Sequence, residues 1–445
     1  MVLPNLQYAT RPTGLLYLMV QHLSPGRLLR FAAIKPPPTN TPMKKTALII
    51  ASLVLGASLH AQTPAPAPPA ATPAPASSFS IYGWVEAGAT LNSKQPNDRQ
   101  NFGRLFDDRA NELMLNQVVL TAEKTLAPKA GESDWGFKLQ GMFGSDARFI
   151  HSLGLLDNAS NKILQPDIVE AYFSYHLPVL SAGGIDVKAG KFVTLEGAET
   201  IDPRTDPFYS HTYIFNFGIP FNHTGVLATF HASKMFDLMA GITRGVNTSI
   251  DDNNHSYSFH GGIGFNGLAD GKLTGAFSTH FGPETPNDNK SYRYLNDLTF
   301  TYTLSDKDSL ITDLNYIKDD AVKAKGYGIA EYFIHKVSDT LTVQVRGEIW
   351  KDRDGFYVAQ FGNNDDVMNA LRGNAINDPR TVGGGSTTYR AITVGLSYKP
   401  SVAKPFTGLT IRPELRYDQS SDTKAFVDSK HKSQLTLGID AVLTF

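Results

Sequence analysis

From Phe79 to the last residue the chain alternates apolar and polar positions with a period of two. In the final segment Leu435, Leu437, Ile439, Ala441, Leu443 and Phe445 fall on one face, and Thr436, Gly438, Asp440, Val442 and Thr444 on the other. Near the start, Phe79, Ile81, Val85, Ala87, Ala89 and Leu91 alternate with Ser80, Tyr82, Trp84, Glu86 and Thr90. Such alternation over about ten residues marks a strand with two unlike faces. Sixteen segments of this kind begin near 79, 113, 134, 167, 185, 222, 235, 255, 272, 294, 308, 325, 340, 387, 408 and 432. Pro413 sits on an apolar face and lacks a ladder donor, which predicts a bulge or irregular pairing there.

The connections differ in kind. One set is short and polar, such as 127–133, 232–234 and 305–307; the other is longer on average, including 92–112, 145–166, 195–221, 283–293 and 353–386. Short turns at one end and long loops at the other organise a transmembrane barrel. The pattern predicts an all-β, antiparallel, sixteen-stranded transmembrane barrel with short periplasmic turns and long external loops. A soluble sandwich or propeller shares the alternation but not the loop asymmetry. Tyr175, Phe265, Phe281, Tyr316 and Tyr398, at strand ends, are candidates for interfacial girdles.

The amino-terminal region is organised differently. From Met43 the chain reads MKKTALIIASLVLGASLHAQ: two lysines, then an uncharged stretch from Thr46 to Leu59. That stretch is too short to span a bilayer as a helix and fits a secretory signal, 43–61, cleaved before Gln62. Leu59 at the −3 position departs from the small-residue rule. Residues 1–42 are expected to be a start-site miscall upstream of Met43. Residues 62–77 are a Pro/Ala-rich linker, extended and unable to pack a core. The barrel is expected over 78–445.

Composition narrows the functions. The 445 residues carry 41 basic and 42 acidic side chains, a net charge of −1 and no Cys. Balanced charge argues against nucleic acid as a partner; the missing Cys removes disulfides and thiolate chemistry. Mean hydropathy of −0.20 is too polar for a bundle of membrane helices. No P-loop, HExxH or GxSxG motif is present. His255 and His260, five apart on one expected strand, would point to opposite faces, and no histidine pair has metal-ligand spacing. No enzyme, cofactor or metal site is expected.

The carboxy-terminal SQLTLGIDAVLTF, ending on Phe445, resembles the assembly signal of Gram-negative outer-membrane barrels. Gly190-Lys191-Phe192, Gly197, Glu199, Tyr209 to Phe217, Pro220 and His223-Thr224-Gly225 resemble the OmpL-like β-barrel porin family, and the resemblance covers roughly 78–445. It implies a cell outer-membrane channel for small hydrophilic solutes, in contact with outer-membrane lipid and delivered to the barrel assembly machinery through Phe445. A homotrimer is expected by analogy with general porins.

Two sets of charges are candidates for the pore. Arg346, Arg412 and Arg416 share a strand face with Glu348, Glu414 and Asp418. Facing lipid at the midplane would cost about 2–4 kcal/mol for each Arg, so these six should line water, or else form cross-strand pairs that stabilise the wall. On the first reading, removing Arg412 and Arg416 should shift selectivity towards cations. The second set lies in 195–221, the third long loop, whose Phe208, Tyr209, Tyr213, Ile214, Phe215, Phe217, Ile219 and Phe221 are too apolar to stay solvated. This loop is expected to enter the lumen, its aromatic half on the wall and Glu196, Glu199, Asp202, Arg204 and Asp206 facing the opening. The rival reading is a structural or adhesive barrel acting through its long loops, 353–386 above all. A transporter for hydrophobic ligands would need an apolar lumen face, which the charges disfavour.

Overall fold

The computed structural model describes residues 79–160, 162–359, 368–374 and 385–445. The segments expected to be a start-site miscall, a signal peptide and a linker lie outside the described residues, as do parts of 353–386. Sixteen antiparallel strands close into one barrel, each paired with its sequence neighbours and β1 with β16. They are β1 (Ser80–Asn92), β2 (Leu113–Lys124), β3 (Asp134–Gly144), β4 (Gln165–Leu177), β5 (Ile185–Val193), β6 (Asn222–His231), β7 (Phe236–Thr243) and β8 (Ser258–Leu268), then β9 (Leu273–Thr285), β10 (Asp288–Thr303), β11 (Asp308–Asp319), β12 (Ala324–Lys336), β13 (Leu341–Asp352), β14 (Thr387–Tyr398), β15 (Gly408–Ser420) and β16 (Ser433–Thr444). No helix among the described residues is long and apolar enough to cross a membrane.

The period-two pattern becomes an inside and an outside. On β16, Leu435, Leu437 and Ile439 are exposed on the outer wall, while Gln434, Thr436 and Asp440 are buried within. Tyr175, Phe281, Tyr316 and Tyr398 are exposed outside, and Phe265 partly so. Odd strands run towards the long-loop end, so Tyr175, Phe265 and Tyr398 lie near the short-turn end and Phe281 and Tyr316 near the other. The seam is tight. Gly83 N–H donates to Phe445 O and Phe445 N–H to Gly83 O, both at 3.0 Å. The Phe445 ring lies over Gly83, where an added Cβ would come within 2.7 Å of it.

Two local expectations are corrected, and a third holds as irregular pairing rather than as a bulge. The stretch 283–293 is not a long loop: β9 and β10 extend into it and turn at Pro286-Asn287, with Asn287 left-handed at φ 61°. Polar residues on both faces hide these strand ends from a pattern search. β8 begins at Ser258, and His255, left-handed at φ 62°, precedes it. Pro413 causes no bulge: it pairs with Ile439 in the unbroken β15–β16 register. On its other side the β14–β15 ladder lapses between Gly395↔Glu414 and Tyr398↔Ile411 and resumes in the same register.

Candidate functional site

The segment between β5 and β6 does not cap the barrel. It crosses the interior and bonds to inward-facing side chains of strands on the far side. All eight of its aromatic and isoleucine residues from Phe208 to Phe221 are buried. Burying such side chains contributes roughly 1.5–3 kcal/mol each, enough to draw the loop out of water. Phe215 and Phe221 meet Phe106, from the β1–β2 loop, at ring centroid distances of 5.3 and 6.0 Å, and Tyr213 stacks on Tyr389 at 5.0 Å. A five-residue π-helix, Ile214–Gly218, forms the apex. Gly218 allows the close approach, since a Cβ there would lie 2.5 Å from Asn315 Oδ1 and 2.8 Å from the Trp350 ring.

The six wall charges face inwards but lie sealed beneath this loop, all buried. They do not line water, and they hold the loop's main chain. Arg346 Nη1 donates to Glu199 Oε1 and to Ser210 O, both at 2.6 Å. Glu348 accepts the Tyr213 N–H at 2.7 Å, and Glu414 accepts those of Tyr209 and Ser210 at 2.9 and 3.2 Å. Arg412 donates to Pro203 O and Asp206 O at 2.8 Å and pairs with Asp440 and Glu86. Arg416 donates to His211 O at 2.6 Å and pairs with Glu348 and Asp418, both at 2.9 Å. Asp418 accepts from the Tyr213 hydroxyl at 3.1 Å and pairs with Arg104 at 2.6 Å. Arg104, in the β1–β2 loop, is a member of this network that the strand pattern does not single out.

The expected effect of Arg412 and Arg416 on selectivity therefore changes. Replacing both with Met should leave the reversal potential near its original value while lowering the barrel's unfolding temperature, because their partners stay buried. A large shift in reversal potential in a stable barrel would return them to the water-lined wall.

The loop's own charges also divide. Glu199 is buried and accepts from Arg346, from the Thr212 N–H at 2.7 Å and from the Tyr332 hydroxyl at 2.9 Å. Burial alone would raise its pKa, but Arg346 foremost holds it below the ordinary value. Asp206 is buried too; it accepts from the Thr200 N–H and meets His211 Nε2 at 3.2 Å. Burial lifts it to about 6 against the pull of His211. Glu196 is buried with no hydrogen-bond partner for either carboxylate oxygen, and burial drives its carboxyl well above the usual range. Asp202 and Arg204 remain in the open, their side chains 28% and 31% exposed and paired at 2.6 Å. The opening-facing charges of the loop are thus two rather than five.

One space lies between the Thr200–Thr205 edge of the loop and the wall from β3 to β5. A cavity of about 260 Å³ there is lined by residues that include Lys138, Gln140, Glu170, Thr200 and Asp202. Lys138 pairs with Glu170 at 2.5 Å, the Tyr82 hydroxyl donates to Glu123 at 2.7 Å, and Arg204 lies over the Trp84 ring at 4.1 Å. On the next wall the register row that starts at Lys188 continues without charge through Leu227, Gly241, His260 and His280.

Histidine pairing along one strand misses a cluster that the barrel builds from three. His223, His260 and His280, from β6, β8 and β9, are buried with ring centroids 4.2, 4.6 and 5.7 Å apart. They pack under the root of the loop, where the Leu195 N–H donates to His260 Nε2 at 3.2 Å. Among the described residues no group of three or more His, Cys, Asp or Glu side chains is placed to hold a metal ion.

Comparison with known proteins places this architecture. No curated protein matches the sequence. Among solved structures, the chain is similar to an anion-selective porin from Comamonas acidovorans, at 13% identity and TM-score 0.54, over 83% of this chain and 100% of that one. It is also similar to the outer membrane channel DcaP of Acinetobacter baumannii, at 13% identity and TM-score 0.49, over 83% and 97%. At such identities the likeness is one of fold. Residues 78–445 match the family described as "Putative beta-barrel porin-2, OmpL-like", and the chain belongs to that family.

Proposed function

We propose that this barrel is a passive diffusion channel of a Gram-negative outer membrane, admitting small hydrophilic solutes past a constriction formed by residues 195–221. The observation that carries the reading is the strapped loop. Sixteen strands can enclose a lumen wide enough for water, and a loop fixed to inward-facing side chains at many points supports a constriction there. The apolar outer wall supports a lipid environment, because a closed barrel satisfies every strand hydrogen bond internally. Membership of a porin family supports a channel rather than an enzyme. The short-turn end would face the periplasm, and a homotrimer is the expected assembly. Planar-bilayer recording of the purified protein tests the proposal. Reproducible open channels with a linear dependence on salt are expected. A barrel that inserts but never conducts would defeat it and favour an adhesive role for the long loops.

The seam makes a second prediction. Deleting Phe445 removes a pair of seam hydrogen bonds and the ring that covers Gly83. Together with the resemblance of the terminus to an assembly signal, this predicts a sharp fall in membrane-inserted protein with secretion intact. Fractionation and immunoblotting read the result, and normal outer-membrane levels would refute it.

A further inference from the structure

We infer that the outer wall from β10 to β13 binds a phosphorylated, acylated lipid of the outer leaflet, with an acyl chain in an apolar groove and a phosphate on the lysines that rim it. The inference rests on the channel reading only for its setting, a lipid-facing wall whose long-loop end meets the outer leaflet. The groove holds about 490 Å³, which lies within the span of ligand clefts, roughly 300–1,000 Å³. Its lining includes Phe277, Leu298, Tyr316, Tyr327, Ile329 and Ile349, together with Lys351. Five of those six apolar and aromatic side chains are exposed, Leu298 being half-buried, so the groove opens on the outside of the barrel.

The strand period places cations beside it. Lys318 lies two residues beyond Tyr316 and Lys325 two before Tyr327, so both share the outward side, and they stand directly opposite each other in the β11–β12 register. Lys351 is opposite Tyr327, and Arg390 is opposite Ile349. Like charges directly opposite on one sheet face repel, and an anion between them removes that cost. Three carboxylates are near. Asp320 pairs with Lys318 at 2.6 Å, with the two side chains 39% and 33% exposed; such an exposed pair contributes little and yields readily to a stronger anion. Asp422 reaches Lys351 only at 4.0 Å. Asp354 accepts the main-chain N–H of Lys325 at 2.9 Å, and among the described residues no carboxylate pairs with the Lys325 ammonium.

Lysines that merely reached for water would be spread around the rim. On the far side of the barrel the same end carries Leu91, Leu113 and Phe143, all exposed. Clustered basic side chains at a membrane surface attract anionic lipid. A phosphate monoester, with about two charges at neutral pH, matches two opposed ammoniums better than a carboxylate does.

Native mass spectrometry of the whole protein in detergent, titrated with lipid A, tests the site. The unaltered protein should retain a single lipid A. Lys318→Met, Lys325→Met and Lys351→Met together should weaken retention by about a hundredfold, from the gain that each Lys brings near an anionic lipid surface. Ile329→Trp, which fills the groove and leaves every charge in place, should weaken it too. Dephosphorylated lipid A and inorganic phosphate each carry half of the recognised chemistry, and neither should be retained by the unaltered protein. Retention of either one as strongly as lipid A would overturn the inference, and so would a folded triple variant that binds as before. The three probes on the unaltered protein decide the matter where a variant does not fold. Conductance in bilayers free of lipid A is read separately: its absence would defeat the channel reading and leave the binding result standing.

Discussion

Shortening the crossing loop between Gly197 and Gly218 is expected to raise single-channel conductance several-fold in a barrel that still folds. The barrel should survive because its wall charges keep partners of their own. Arg412 retains Asp440 and Glu86, and Arg416 retains Glu348 and Asp418. The strand ladder does not pass through the loop at all. The same deletion should change selectivity. It uncovers three arginines, Arg346, Arg412 and Arg416, against five carboxylates, Glu86, Glu348, Glu414, Asp418 and Asp440, all of them buried in the intact protein. The widened pore should therefore move towards cations. Conductance and reversal potential in one bilayer experiment check both effects. A stable shortened barrel with unchanged conductance would place the narrowest point elsewhere.

The second large effect is expected at Arg346. Its guanidinium joins Glu199 and Ser210 of the loop to β13 and lies over the Phe208 ring at 4.9 Å. Arg346→Met leaves the Glu199 carboxylate buried without its cation, a loss of about 3–5 kcal/mol for a pair of this kind. Glu199→Gln should cost less, since no buried charge is left unpaired, the amide oxygen still accepts from the Thr212 N–H and the amide nitrogen can donate to the Tyr332 hydroxyl oxygen. The double variant should recover part of the loss, with a coupling on the order of 1–3 kcal/mol for groups in direct contact. Denaturant unfolding followed by tryptophan fluorescence measures all three. A coupling near zero would mean that the loop is held by its aromatic packing alone.

Much of this architecture is legible in the chain, for a physical reason. A strand wall between two unlike media must alternate, so β16 or β13 can be read from its own residues. The loop's entry into the lumen is legible too, because eight large apolar residues in one connection need a surface. What each charge does there is not legible. Whether Arg412 meets water or the carbonyls of Pro203 and Asp206 depends on a chain more than 200 positions away. Glu199 and Asp202 look alike in sequence, yet one is sealed and the other exposed. The histidine cluster was out of reach for the same reason: its members are neighbours across strands, and His260 and His255 are not.

The bond from Arg412 to Glu86 joins β15 to β1 across the closing strand, and the same guanidinium holds the loop at Pro203 and Asp206. Tyr209, likewise, reaches Asn116 on β2 and Glu414 on β15. First and last strands are thus brought together by a segment from the middle of the chain. In terms of assembly order, the loop cannot complete its contacts until both ends of the chain have arrived, and arrival of the ends creates its binding surface. Closing the cylinder and narrowing its bore are then a single cooperative step, so a half-built barrel has neither a seam nor a filter.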